Sequence, residues 1–390
     1  MKSKVTSILM FFIIVGIVGL ASLLGIIIFK DIFDSKTLEP ATELEDGEAW
    51  YTTEDELIDS QTGSTSTRKT LETLEIPQTP KTKIKNSSGS NTEDVSINYD
   101  NITVNKYFYN QLNKYSQTMY KAFESNKEQM KTGRHQVNFG TTFTDVLSGS
   151  NGQEKLGEYF QSAVEAYIYD NPDVFYLNPS KMYLNIETIT RGNKKSYNVY
   201  INNGETTNYL IDEFNSKEEI NNALSKIESV RNSLLSRKTN NTYQNIKMVH
   251  DYLVDNISYD SSLTGENIYN LCGALVNNKC VCEGYAKAFK YLLDGMGIEC
   301  TLVIGKGTNS SGKSENHAWN YVKLDGNYYA VDATWDDPIV IGGSATQSMK
   351  TKYFLKGQKE MSKDHFPSGK FTEEGQEFNY PPLSYNSYKY

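Results

Sequence analysis

Three residues in the second half of this 390-residue chain have the types needed for thiol chemistry: Cys282, His317 and Asp332. A cysteine nucleophile needs a lowered pKa, supplied by a helix N-terminus and a nearby imidazole. It also needs a third group to hold that imidazole in the right tautomer. The sequence places Cys282 at or just before a helix start, because Tyr285, Ala286, Phe289, Leu292, Leu293 and Met296 fall on one face and Gly295 and Gly297 end the pattern. Taken singly, each residue has an ordinary reading: a packed thiol, a solvated imidazole, a locally capping carboxylate. Their order on helix, strand and strand is what favours catalysis.

The two strands must bring His317 to Asp332. Asp325-Gly326 between alternating runs reads as a two-residue hairpin turn. Leu324 then pairs with Asn327, His317 faces Thr334 and Trp319 faces Asp332. His317 and Asp332 become diagonal neighbours on one face, roughly 7–8 Å apart at the backbone. Ala318, Val322, Tyr329, Val331 and Ala333 form the opposite, core-facing surface. One extra loop residue would put the pair on opposite faces; Asp336 and Asp337 are the alternative orienting groups should Asp332 prove only structural. Trp319 and Trp335 either line an acyl groove or pack in the core, and the backbone N–H of Cys282 is the one legible oxyanion donor. Cys280-x-Cys282 lacks a second ligand pair, so neither a metal nor a cofactor is expected.

Residues 247–338 resemble the transglutaminase-like superfamily, in particular its bacterial branch with a papain-like Cys-His-Asp triad. The resemblance rests on His250-Asp251-Tyr252-Leu253, Tyr259-Asp260, Gly273-Ala274-Leu275, Cys282-Glu283-Gly284-Tyr285-Ala286, Ala288-Phe289, His317-Ala318-Trp319-Asn320 and Val331-Asp332-Ala333-Thr334-Trp335-Asp336-Asp337-Pro338. Tyr353-Phe354 and His365 continue it. It implies Cys282 as nucleophile, His317 as general base and acid, and Asp332 as orienting carboxylate. The implied fold is α+β, with a helix carrying the cysteine packed on an antiparallel sheet carrying the histidine and aspartate. Cys272 and Cys280 depart from the family pattern, and Cys272, Cys280 or Cys300 could form a disulfide in an oxidising compartment.

The remaining chain supplies context. Residues 8–29 run 22 positions without a charge, long enough for a transmembrane helix after a short tail at 1–7. The run continues past Ala21-Ser22, which favours an uncleaved anchor over a processed signal. Lys2 and Lys4 precede it, while Lys30 and Lys36 follow, so the C-terminal bulk is expected outside on a weak bias. Residues 30–95 read as an acidic, then Ser/Thr-rich disordered linker. Eleven acids between 31 and 60 against Lys36 account for the net charge of −9, and no basic stripe remains for nucleic acid. Region 96–240 is expected to be a smaller α+β unit, 241–375 the catalytic domain and 376–390 a tail.

The expected activity is thiol attack on an amide, giving a thioester that water or an amine resolves. Cell-surface proteins or cell-wall peptides are the expected substrates. A catalytically silent surface interaction module, or an amine-accepting cross-linker of the same fold, are the alternatives.

Overall fold

The computed structural model describes residues 96–201, 208–337, 345–372 and 375–390, with strand backbone also at 56–59, 65–67, 81–86 and 340–341. The apolar run 8–29 lies outside the described residues. Among the described residues no helix is long and apolar enough to cross a membrane. Within the segment expected as linker, strand β1 (Lys81–Asn86) pairs parallel with a later strand and so joins a sheet.

The first half is built on aromatic residues. Helix α1 (Lys114–Met130) begins where the Asn113 side chain accepts the N–H groups of Tyr115 and Ser116. The apolar rhythm that starts at Tyr107 predicts an earlier start. Phe108 and Leu112 are indeed buried, but in a short 3-10 turn and its flank. Strand β2 (Val137–Gly140) leads to helix α2 (Gly152–Asp170), which Asn171-Pro172 terminates as expected. Strands β3 (Tyr183–Arg191) and β4 (Lys194–Ile201) form the predicted hairpin, with Gly192 at φ +60°. The sheet order is β1-β3-β4-β2. Helix α3 (Lys217–Leu235) starts at Ser216, whose hydroxyl accepts the Glu219 N–H.

Helix α4 (Thr242–Asn256) and the short α5 (Leu271–Leu275) precede α6 (Cys282–Gly295), which is buried along most of its length. The chain enters α6 through Lys279–Cys280, paired parallel with Ser258–Tyr259. Gly284 is required there: a Cβ would sit 2.5 Å from the Cys280 Cβ and 2.8 Å from the Ile268 carbonyl oxygen. Strands β5 (Cys300–Thr308), β6 (Ser314–Leu324), β7 (Asn327–Val331) and β8 (His365–Pro367) form an antiparallel sheet in the order β7-β6-β5-β8. Asn320 on β6 donates to the Ala286 carbonyl, fixing the sheet against α6 at 3.0 Å.

One core runs across the expected boundary at 240, joining Phe108, Tyr120 and Phe160 to Val249, Phe289 and Leu293. The expected tail is part of it. From it Phe378 lies edge-on to Phe108 with centroids 5.2 Å apart, as Phe371 just before the tail does at 5.4 Å, and the Tyr388 N–H donates to the Leu355 carbonyl.

Candidate active site

The hairpin between β6 and β7 has the predicted register, with Leu324 opposite Asn327 and Asn320 opposite Val331. Asp325 and Gly326 both take positive φ, 52° and 81°, as the tight turn requires. The ladder ends at Val331. Asp332 then gives its N–H to the Tyr353 carbonyl and accepts the Asp336 N–H, so it lies in a turn and not opposite Trp319. It still meets His317: Nε2 and Asp332 Oδ2 are 2.7 Å apart. The other carboxylate oxygen accepts the N–H groups of Thr334 and Trp335 at 3.0 and 3.2 Å. That turn fixes which oxygen is left for the imidazole.

The His317 ring lies between two indoles, 5.0 Å from Trp335 at 28° and 5.8 Å from Trp319 at 26°. Two glycines of β5 make room for this stack. A Cβ on Gly307 would stand 2.7 Å from Trp335, and one on Gly305 would stand 2.8 Å from Trp319. Both tryptophans therefore serve the imidazole's packing, with Trp319 joined to Val303, Tyr321 and Tyr353 in a separate apolar cluster. His317 Nδ1 makes no hydrogen bond of standard geometry among the described residues. The Cys282 side chain is close enough to help hold a proton on the ring.

Electrostatics follow from this arrangement. Burial opposes a charge on His317, but the Asp332 carboxylate outweighs it and, with Cys282, raises the imidazole to about 9. Burial likewise opposes the charge on Asp332, yet the two histidines hold it well below the usual carboxylate range. Burial pushes the Cys280 thiol well up, which leaves it a poor nucleophile. Cys282 and His317 are each 1% exposed and Asp332 0%, so the group works away from bulk water. All four cysteines are free.

Two histidines complete the site in ways that local sequence patterns did not reveal. His365 on β8 places Nε2 3.0 Å from the same Asp332 Oδ2. His250 on α4 places Nε2 3.0 Å from Asp336 Oδ2, while Asp336 Oδ1 accepts the Tyr353 N–H at 2.7 Å. The turn from Asp332 to Asp336 is thus pinned at both ends. Asp337, the other alternative carboxylate, accepts the Tyr285 hydroxyl at 2.5 Å, and burial raises it to about 7. Neither Asp336 nor Asp337 meets His317. Among the described residues, His317, Asp332 and His365 also form a group with metal-ligand chemistry, their ligand atoms lying within 4.8 Å. Both Nε2 atoms already share one carboxylate oxygen, which fits a protonated hydrogen-bonded cluster better than a cation site.

Residues 229–333, which include all three residues singled out for thiol chemistry, match the model of the Transglutaminase-like superfamily. Over 149 residues the chain is 28% identical to kyphoscoliosis peptidase of Homo sapiens, covering 35% of this chain and 22% of that protein. The chain therefore spans about a fifth of the length of the curated relative it matches. Among solved structures, one described as a TGase aligns at a TM-score of 0.28 and 16% identity, covering 44% of this chain and 50% of that one. The periplasmic domain of TgpA from Pseudomonas aeruginosa, bound to ethylmercury, aligns at 0.23 and 13% identity, covering 36% and 56%. The half of the chain that holds these residues is a mixed α/β unit with a transglutaminase-like core.

Proposed function

We propose that the protein is a membrane-anchored, extracytoplasmic thiol hydrolase of the bacterial, peptidase-like kind, acting on amide or peptide acyl groups through Cys282. What carries the reading is the shared geometry of His317: one ring nitrogen on Asp332, the other left for the sulfur. The Cys282 thiolate attacks the acyl carbon while the His317 imidazolium stands by. The carbon–nitrogen bond breaks, His317 gives its proton to the departing amine, and a thioester remains. Water then loses a proton to His317 and adds to the thioester, and the acid is released. An amine in place of water would make a cross-linked product. Cell-surface proteins or wall peptides suit an active domain held by residues 8–29. This anchoring rests on the uncharged length of that segment.

The test is labelling with a thiol-directed acyl electrophile, read peptide by peptide. Cys282 should react much faster than Cys300. Cys282→Ala should abolish labelling and turnover, while Cys280→Ala should keep most of both. Equal, slow reaction at Cys282 and Cys300 would instead leave a silent surface module. Protease added to intact, wall-stripped cells should remove the C-terminal bulk, and full protection would sink the topology.

A further inference from the structure

His365 is held between two carboxylates. Its Nε2 lies 3.0 Å from Asp332 Oδ2 and its Nδ1 2.7 Å from Asp364 Oδ1. Ionised carboxylates only accept hydrogen bonds, so both ring nitrogens must carry hydrogen, and the ring is an imidazolium. The outer carboxylate is itself fixed, since Asp364 Oδ2 accepts the Tyr353 hydroxyl at 2.8 Å. The other groups facing the ring are His317 and Trp319 from β6, at centroid distances of 5.5 and 5.0 Å, Trp335 from the Asp332 turn at 4.5 Å, and the Tyr353 ring at 5.1 Å. Lys363 nearby is paired with Glu360. Burial opposes the charge on His365 and the two carboxylates outweigh it, which agrees with the hydrogen-bond argument.

We propose that His365 is a positioning residue whose imidazolium clamps Asp332 and limits how firmly His317 holds its proton. The proposal rests on the reading of His317 as the acid and base for Cys282. Two effects act in the same direction. Asp332 Oδ2 divides its hydrogen-bonding capacity between two rings, and a second positive charge 5.5 Å from His317 disfavours the protonated form there. Without His365, His317 would face a whole carboxylate and no like charge. It would then release its proton to a leaving amine less readily.

The experiment is the pH dependence of Cys282 alkylation by iodoacetamide, resolved by peptide mass spectrometry, in the wild type, His365→Gln and Asp364→Asn. Glutamine still donates to Asp332 but carries no charge. The alkaline inflection set by His317 should rise by about one pH unit in His365→Gln. A smaller rise is expected in Asp364→Asn, which keeps His365 in place and serves if the first variant does not fold. An inflection that moves by less than about 0.2 unit in both folded variants, or that moves down, would overturn the proposal. Failure of the underlying reading is distinguishable: the wild-type profile would then be unchanged by His317→Ala.

Discussion

Asp332→Asn replaces one oxygen by an amide nitrogen, and the surrounding turn dictates which one. The Thr334 and Trp335 N–H groups require an acceptor, so the asparagine oxygen stays on them and its NH2 must face His317. His317 Nε2 then becomes an acceptor and its single hydrogen moves to Nδ1, toward Cys282. The ring can no longer take the thiol proton. Its proton affinity also falls, from about 9 to no more than the ordinary ~6.5 for a buried imidazole without a carboxylate. That drop of at least about 2.5 units is on the order of 3 kcal/mol, and it lowers proton transfer from Cys282 to His317 by about 10²–10³. Acylation by an activated ester at pH 7 should slow by that factor, with His317→Ala at least as severe. A melting curve accompanies the assay, because the new NH2 also faces the His365 N–H, which loses its acceptor. Near-normal acylation in a folded Asp332→Asn protein would refute the reasoning and make the carboxylate purely structural.

Stability should also depend on alkaline pH. The folded His317 sits at about 9 against ~6.5 unfolded, so its stabilising share is complete below about 6.5 and is lost as the pH rises through about 9. Urea unfolding between pH 7 and 9.5 should show a fall of about 2 kcal/mol that is absent from Asp332→Asn. Gly284→Ala should destabilise by about 1–3 kcal/mol in the same assay and slow alkylation of Cys282, because Cys280 and the Ile268 carbonyl leave no room for a methyl group. An unchanged midpoint would show that the first turn of α6 can yield.

The parts of this site that the sequence discloses are those set by local rules. The Asp-Gly turn determines the register from Asn320 to Val331, and the apolar face of α6 locates Cys282. The end of the ladder at Val331 was not legible, because Tyr353, from a distant segment, takes the next backbone N–H. The resemblance includes His365, but its contact with Asp332 is not legible for the same reason: β8 joins β5 with no short connection to set its register. Gly305 and Gly307 did carry a readable signal, since alternate glycines in a strand mark one face where something large approaches. From Tyr107 to Leu112 the apolar spacing reports burial correctly but helix incorrectly, as the Asn113 cap delays the start.

Residues far along the chain complete the surroundings of Cys282. His365 reaches Asp332, and Phe371 and Phe378 close the core around Phe108, a residue made more than 250 positions earlier. A nascent chain with Cys282 already emerged from the ribosome still lacks the sheet edge and aromatic plug that finish its surroundings. Contacts of such long sequence separation form late in folding. During synthesis the thiol therefore emerges well before the groups that surround it in the fold.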